Sequence, residues 1–417
     1  MKSCEAEREP VALGNVSPSE PPEIKVALLT GGSDRPYAFG LSMALLSKGM
    51  YLDFIGSNQL DGPEMRATSK LNFLNLHGDP RERVGLIRKS ARIMAFYARL
   101  IRYAVTAKPK IFHILWNNRI QLFDRTLLMV CYKLLGKKIA FTAHNVNAAR
   151  RDAKDSALNR LTLKIQYHLV DHLFVHTQKM KSELRDDFGV RTEAVTVIPF
   201  GINNSVPNTD LTSAEAKRRL GIESNRKTIL FFGAIWPYKG LEHLVAAFQQ
   251  VAPRNESYRL IIAGESKKGS EQYLRDIQKT IEGDPCRQQV LQKIEFVPDA
   301  ETEVYFKAAD VLVLPYAEVF QSGVLFLAYS FGLPVIAADV GSFRDDIIPG
   351  KTGYLCRSCS PTDLAHAIES YFDSDLYKTL ERRRPEIRDY ALARNSWSVV
   401  ADMTRGVYSE LLRMGPS

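Results

Sequence analysis

The stretch that decides the fold is EVFQSGVLFLAYSFGLPVIAADVGS, residues 318–342. It begins as a polar loop, continues as an apolar helical run, and ends as a short apolar strand followed by a glycine turn. Ser322 stands where a helix N-cap is expected, and Gly323 has no Cβ to keep a ligand away from the backbone. The first turn of such a helix carries free N–H groups and roughly half a positive charge. The stretch therefore predicts either a serine-capped buried helix or a seat for a phosphate group.

Apolar runs like the one in this stretch occur along the chain in two series. The first series is KVALLTG (25–31), YLDFIG (51–56), KIFHIL (110–115), KKIAFTAH (137–144), HLFVHT (172–177) and AVTVIPFG (194–201). The second is TILFFGA (228–234), RLIIAGE (259–265), KIEFVP (293–298), DVLVLPY (310–316) and PVIAAD (334–339). Because amphipathic helical stretches alternate with these runs, they predict parallel βαβ units that are covered on both faces.

A polar segment near residues 202–212 separates the two series, since Asn, Pro, Ser and Thr replace the apolar runs there. We therefore expect two doubly wound domains, 25–205 and 206–390, with the ligand site in the cleft between them. Residues 1–24 are rich in Glu and Pro and predict a disordered tail. Residues 391–417 contain a final helix, from about Ser396, whose apolar stripe needs a surface to cover it.

Composition indicates an ordinary globular protein, with 45% hydrophobic and 25% charged residues among 417. No apolar run approaches the ~18 residues of a membrane span, and the N-terminus lacks the layout of a secretory signal. Five scattered cysteines predict reduced thiols and a cytoplasmic protein. Cys356 and Cys359 form a close pair, but no second pair accompanies them, so we expect no metal site.

Positive charge is concentrated in the first half of the chain. Residues 25–205 carry 28 Lys and Arg against 14 Asp and Glu, whereas the whole chain has a net charge of +9. One predicted helix places Arg88, Arg92, Arg99 and Arg102 on a common face. A solvated face is the plainer interpretation. The domain's charge also suits an anionic membrane surface or a lipid diphosphate, and we expect no nucleic acid because no aromatic platform or recognition motif is present.

A lysine near the first strand of the second series points to the same phosphate chemistry. In GAIWPYKGLEHL, Gly233 ends the strand, and Lys239 and Gly240 open the following helix. Parallel strands bring such loops to one edge of the sheet, where the Ser322 loop also lies. Lys239 is therefore either a solvated lysine or a charge that joins the predicted phosphate seat.

Taken together, three motifs resemble those of the family 4 retaining glycosyltransferases, which have the GT-B fold. They are GAIWPYKGLEHL, FVPDAETEVYFKAADVLVLPY and SGVLFLAYSFGLPVIAADVGSFRDDIIPGKTGYL. The resemblance extends over about residues 25–415 and is strongest over 228–356. It implies two Rossmann-like parallel-sheet domains facing a cleft, with the C-terminal helix crossing back to the first domain. It also implies transfer of a sugar from a UDP- or GDP-linked donor, with no further cofactor, and retention at the anomeric carbon.

The resemblance carries roles over to particular residues. It implies that the donor diphosphate lies against Gly31, Gly32, Lys239, Ser322, Gly323 and Val324. It assigns the catalytic positions to Lys239, His144 and Glu318. An acceptor would meet the loop residues Asn117, Asn118, Arg150 and Arg151. By contrast, His176 in HTQKMKSEL has no partner at ligand spacing and is predicted to be an ordinary histidine.

The chain departs from the family pattern at two places. The family usually has an arginine directly after the glycine of the strand, where this chain has Ala234. Its second glutamate, five positions before Gly332, is Leu327 here, and the position eight after Glu318 is Phe326. The chain therefore resembles a branch with a QSGV loop in place of the paired glutamates.

Two functions follow from the resemblance and its departures. The first is a cytoplasmic glycosyltransferase, peripheral on the inner face of the membrane, that modifies a polysaccharide, glycan or lipid-linked acceptor in cell-surface glycan synthesis. The second is a GT-B protein that has lost turnover and serves as a non-catalytic binding subunit.

Overall fold

Two parallel sheets form the framework of the protein. The computed structural model describes residues 23–32, 35–78, 85–152, 154–202, 206–357 and 360–414. The tail predicted at 1–24, except its last two residues, and Cys359 lie outside them. The first sheet contains β1 (Lys25–Leu29), β2 (Tyr51–Gly56), β3 (Leu71–Asn75), β4 (Ile111–Ile114), β5 (Lys138–Thr142), β6 (His172–Val175) and β7 (Val195–Val197). The second contains β8 (Lys227–Phe232), β9 (Tyr258–Ala263), β10 (Val290–Lys293), β11 (Val311–Leu314), β12 (Val335–Ala338) and β13 (Gly353–Cys356).

Helices cover both sheets. Those following the strands of the first sheet are α1 (Arg35–Ser47), α2 (Pro63–Arg66), α3 (Leu86–Thr106), α4 (Gln121–Arg125), α5 (Leu127–Leu134), α6 (Ala148–Arg151), α7 (Ala157–Leu169) and α8 (Gln178–Phe188). Those of the second half are α9 (Ser213–Arg219), α10 (Leu241–Val251), α11 (Glu271–Glu282), α12 (Asp299–Ala308), α13 (Gly323–Ser330), α14 (Phe343–Asp346), α15 (Pro361–Asp373), α16 (Asp375–Lys378), α17 (Leu380–Asn395) and α18 (Trp397–Arg413). The predicted α/β fold with two parallel-sheet, Rossmann-like domains is confirmed.

The strand order places the cleft. The sheets run β3-β2-β1-β4-β5-β6-β7 and β10-β9-β8-β11-β12-β13. In each sheet the order reverses beside the first strand, between β1 and β4 and between β8 and β11. Ligands of doubly wound sheets bind outside the carboxyl ends of the strands at such reversals. The loops after β1, β4, β8 and β11 are therefore the ones that build the site.

Three strands differ from the sequence prediction. The prediction omitted β3 and β13, which are short outer strands with partly exposed side chains and so lack a continuous apolar run. It also placed a strand at 293–298, whereas β10 covers Val290–Lys293 and pairs with β9. Gln292 and parts of the loop after β10 are exposed and interrupt the apolar pattern, so the sequence does not show where β10 begins and ends.

The C-terminal helix crosses back to the first domain, as expected. Its apolar stripe packs on α1, and Trp397 fills a space that exists because residues 40 and 201 are glycines. A Cβ on Gly40 would lie 2.1 Å from the indole, and one on Gly201 would lie 2.5 Å from it. The indole Nε1 donates a hydrogen bond to the Ile202 carbonyl oxygen at 2.7 Å. The helix thus anchors the start of the interdomain segment.

Farther along α18, Tyr408 contacts a buried histidine of β4. His113 is fully buried, with Nδ1 2.5 Å from the Tyr408 hydroxyl and Nε2 2.8 Å from Thr142 Oγ1. Burial lowers the pKa of His113 to about 3, with a smaller contribution from His172. His113 therefore stays neutral in the folded protein.

We predict that His113→Gln reduces the loss of stability on acidification. Above about pH 6.5 the histidine is neutral in both states; below it the unfolded chain gains the proton first, and stability is lost as the pH falls toward 3. At pH 5 this loss amounts to about 2 kcal/mol. Urea unfolding at pH 8 and pH 5 measures it. The exposed His366→Gln is the matched control. An equal pH dependence in wild type and His113→Gln would contradict the prediction.

Candidate active site

Lys239 is a buried cation at the carboxyl end of β8. Lys239 ends a short 3-10 turn, Pro237–Lys239, and is only 8% exposed. Gly240 follows with φ +65°, and a Cβ there would lie 2.0 Å from the Pro315 carbonyl oxygen. The turn can therefore pack closely against the end of β11 only because residue 240 is glycine.

The ammonium of Lys239 has no carboxylate beside it. Nζ lies 5.3 Å from the centre of the Tyr316 ring, and no hydrogen bond or ion pair joins it to another residue that the structure describes. Burial, together with the charges of Lys267 and Arg151, lowers the pKa of Lys239. A cation in this state attracts an anion to the site.

The helix α13 begins next to this ammonium. A Cβ built on Gly233 would lie 3.4 Å from Lys239 Nζ and 3.5 Å from Val324 Cγ2, so both side chains border the same glycine. Ser322 occupies the N-cap position, but its side chain does not cap the helix. Ser322 instead interacts with Tyr316, whose pKa is raised by burial and lowered in part by that contact. The first-turn amides of α13 are therefore left without a side-chain cap.

Glu318 lies in the loop before α13, near enough to an arginine of the first domain to affect that arginine's pKa. Its side chain is exposed. Arg151, at the end of α6, lies 4.6 Å from the centre of the Tyr238 ring and pairs with Asp152 at 2.8 Å. Burial lowers the pKa of Arg151, but Asp152 and, more weakly, Glu318 raise it, and the net shift is upward. Arg151 was predicted to meet an acceptor; the structure places its guanidinium over the Tyr238 ring, near enough to Lys239 to lower the pKa of that lysine.

The glycine turn after β1 faces a histidine that the sequence analysis missed. Gly31 and Gly32 have φ of +64° and +81°. A Cβ on Gly31 would meet Trp116 at 2.8 Å, and one on Gly32 would meet His77 at 2.9 Å. Thr30 Oγ1 accepts a hydrogen bond from the Gly32 amide at 3.2 Å. Both glycines therefore have a packing role, and the Gly32 amide is already paired.

His77 is the clearest omission of the sequence analysis. It is buried, stacks on Phe96 at 4.1 Å, and has a pKa lowered to about 4 by burial and by Arg119 and Arg99. It follows β3, a strand that the prediction omitted, so no sequence pattern placed it at the edge of the sheet. Tyr316 and Tyr238 were omitted because a tyrosine in a loop carries no distinctive pattern.

His144 lies at the carboxyl end of β5, as predicted. Its ring stacks on Trp116, with centroids 4.2 Å apart and planes 5° apart, and meets Tyr37 edge-on at 4.5 Å. It lines a hollow of about 360 Å³ together with Trp116 and Asn117. Burial, then His176 and His113, lower the pKa of His144 well below its ordinary value.

The other predicted acceptor residues, like Arg151, pair with neighbouring side chains. Asn117 exchanges two amide hydrogen bonds with Gln166, at 3.1 and 2.7 Å. Asn118 donates to Asp124 at 3.1 Å. Arg150 pairs with Asp187 at 3.1 Å on an exposed surface. The acceptor role of these residues remains a prediction.

Neither a metal-binding cluster nor a membrane-spanning helix occurs among the described residues. They contain no group of three or more His, Cys, Asp or Glu side chains arranged to hold a metal ion. Within the same ranges, no helix combines the length and apolar character needed to cross a bilayer.

Two parallel-sheet domains, with a cationic residue and a helix start without a side-chain cap at the edge of the second sheet, form the arrangement expected of the GT-B class. Comparison with known proteins agrees. The family model described as Glycosyltransferase Family 4 matches residues 35–206, and that described as Glycosyl transferases group 1 matches residues 212–390. The chain therefore belongs to glycosyltransferase family 4, whose members use nucleotide sugars.

Individual relatives are distant. A D-inositol 3-phosphate glycosyltransferase of Corynebacterium glutamicum is 23% identical over 400 residues, covering 91% of this chain and 92% of the relative. The sucrose-phosphate synthase of Thermosynechococcus elongatus superposes with a TM-score of 0.74 at 19% identity, covering 94% of this chain and 100% of that chain. Anabaena Alr3699/HepE, in complex with UDP and glucose, gives a TM-score of 0.71 at 16% identity, covering 93% and 100%. The structural matches show the fold.

We predict that Lys239→Met stabilises the protein. Removing a buried charge that has no carboxylate partner relieves its desolvation cost, so the free energy of unfolding should rise by about 1 to 2 kcal/mol. Urea unfolding near pH 7.5 measures the change. Lys351→Met, at an exposed position, is the control. A lower stability for Lys239→Met would show that the ammonium serves as a structural link.

Proposed function

We propose that the protein transfers a sugar, with retention at the anomeric carbon, from a UDP- or GDP-linked donor to a glycan or lipid-linked acceptor. When the C1–O bond of the donor breaks, its electron pair passes to the diphosphate. Fixed donors near that oxygen stabilise the developing charge without reorganising. Lys239 and the first-turn amides of α13 supply these donors, and Gly323 and Val324 carry two of the amides.

The observation that carries this proposal is the unpaired, buried ammonium of Lys239 next to an uncapped helix start. A largely buried charge and helix amides without a side-chain cap both lack protein partners, so each gains from a bound anion. A diphosphate satisfies both at once. The bound UDP of Alr3699/HepE, a protein of the same fold, favours a nucleoside diphosphate as that anion.

Arg151 supplies the positive charge that the family usually has at the position of Ala234. The family's usual arginine belongs to the second domain, whereas Arg151 reaches the same neighbourhood from α6 of the first. It is close enough to Lys239 to lower the lysine's pKa. A cation from the opposite domain couples donor binding to the approach of the two domains.

Turnover should depend on Lys239. We expect release of nucleoside diphosphate from one member of a panel of UDP- and GDP-sugars, and a decrease of about 10²- to 10³-fold in Lys239→Met. The assay couples UDP or GDP formation to an absorbance change. Tight nucleotide binding without turnover for any donor and a range of phospholipid and glycan acceptors would instead support a non-catalytic binding subunit.

The variant Gly323→Ala tests the first-turn amides of α13, here termed the amide seat, without disturbing the fold. A Cβ on Gly323 would lie 3.5 Å from Phe200, an ordinary contact, so the variant should fold. It should bind UDP about tenfold more weakly, because the methyl group stands between the phosphate and the amide. Gly406→Ala, with nothing within 4 Å of the added Cβ, is the control. Equal UDP affinity in all three proteins would contradict the amide seat.

The exposed side chains of the first domain, which would bind the acceptor, support docking of the protein on an anionic membrane. The outer surfaces of α3, α4, α5 and α7, here termed the outer face, expose the large apolar side chains of Ile87, Met94, Val105, Leu122, Leu127, Val130, Leu134, Leu158 and Leu161. Helices α3, α5 and α7 bury their inner sides in one core, so these exposed residues share one side of the domain. Exposed Arg88, Lys89 and Arg102 accompany them on α3. Apolar side chains among basic ones suit an anionic bilayer surface.

Vesicle sedimentation tests this surface. We expect the protein to sediment with phosphatidylglycerol vesicles and to dissociate from them at high salt. It should not sediment with vesicles of pure phosphatidylcholine. The double variant Ile87→Ser and Met94→Ser should bind about tenfold more weakly. Phe296→Ser, which removes an apolar side chain that is 60% exposed on the second domain, is the control. Equal binding by the double variant and the control would contradict docking through the outer face.

A further inference from the structure

A second histidine stands directly beside His144. His144 follows β5 and His176 follows β6, two neighbouring strands whose register pairs Thr142 with Phe174. Two residues beyond that pair, the rings of the histidines meet, and His176 Nε2 lies 3.1 Å from His144 Nδ1. In the sequence His176 stands as an isolated histidine, because this contact joins positions 32 apart.

The protonation of His176 is determined by a backbone carbonyl. Its Nδ1 lies 3.3 Å from the Ile198 carbonyl oxygen. A carbonyl oxygen can only accept a hydrogen bond, so Nδ1 must carry the proton. Turning the ring by 180° would place a carbon atom at both contacts, and both hydrogen bonds would be lost. The observed orientation is therefore the one that the surroundings favour.

The tautomer of His144 follows from that of His176. Neutral His176 with its proton on Nδ1 presents a lone pair at Nε2, so His144 Nδ1 must donate to it. His144 Nε2 then has no proton and can only accept. This nitrogen is buried and makes no hydrogen bond to any residue that the structure describes. The chain of hydrogen bonds from Ile198 through His176, here termed the relay, thus ends in an unpaired acceptor on His144, whose residue lines a hollow of the first domain.

Both rings are neutral in this relay. Burial lowers the pKa of His176 to about 4, and that of His144 well below its ordinary value. Protonating both would place two positive charges on nitrogens 3.1 Å apart. The polar or titratable groups near the pair include Tyr37, which contacts both rings, and His113, which is buried in the same sheet. They also include Asp345, Asp346 and Arg394, which line a hollow together with His176.

We propose that His176 is a positioning residue that holds His144 in the Nδ1-protonated tautomer, so that His144 Nε2 accepts a hydrogen bond from a hydroxyl group of the bound sugar. The second half of this inference depends on the proposed transferase function, whereas the tautomer does not. A neutral acceptor at this point favours a donor sugar with a free hydroxyl there and disfavours one with a carboxylate.

The tautomer is measured by ¹⁵N NMR of histidine-labelled protein, in which His144 is assigned by its loss in His144→Ala. We expect the proton on Nδ1 of His144 and a proton-free Nε2. His176→Gln should keep this pattern, since a glutamine amide can accept from His144 and donate to Ile198. His176→Leu can do neither, and we expect the proton to move wholly or partly to Nε2. A proton on Nε2 in the wild type, or an unchanged spectrum in His176→Leu, would overturn the relay.

The sugar contact is tested by steady-state kinetics with whichever donor proves active. The His176→Leu variant should lose about tenfold or more in kcat/KM, and His176→Gln should recover most of it. UDP affinity should be the same in both, because the diphosphate lies elsewhere. A relay confirmed by NMR but with full kcat/KM in His176→Leu would overturn the hydroxyl contact. Inactivity with every donor would overturn the transferase function and the hydroxyl contact, while the NMR result would still decide the relay.

Discussion

A buried ammonium group without a counter-ion is the constraint from which the account of this protein follows. Lys239 lies where β8 and β11 diverge, beside Tyr316 and the start of α13, and no carboxylate in the described chain compensates it. Folding keeps it there because Gly240 lets the turn pack against Pro315. Such an arrangement disfavours the empty state and favours an anion, and this is how binding energy can be directed at a leaving diphosphate.

The two domains contribute unequal parts to this site. The second provides the lysine and the helix amides, while the first provides Arg151, His144 and the hydrogen-bonded support behind them. Phe200 stacks on Phe326 at 5.8 Å, and Phe320 of the α13 loop packs into the core of the first domain. The loop that carries the amide seat is therefore held by both domains. A change in their separation would move the seat relative to His144.

Periodicity was sufficient to predict the two sheets, because most central strands are uninterrupted apolar runs. It failed for β3 and β13, whose side chains are partly exposed, and so it also missed His77. The pattern of the strand-to-helix loops singled out Lys239 and Ser322, and the family resemblance added His144. The structure places Lys239 beside Val324, as the shared sheet edge required. It did not indicate that Ser322 contacts Tyr316 rather than capping α13, nor that Arg151 crosses the cleft. These depend on contacts between segments far apart in the chain, which no local pattern encodes.

The most direct measurement is a crystal structure of the protein with UDP. The account predicts that oxygens of the β-phosphate lie within about 3 Å of both Lys239 Nζ and the amide nitrogens of Gly323 and Val324. A diphosphate bound elsewhere, for example against Arg150 and Arg160 in the hollow of the first domain, with Lys239 still unpaired, would contradict it.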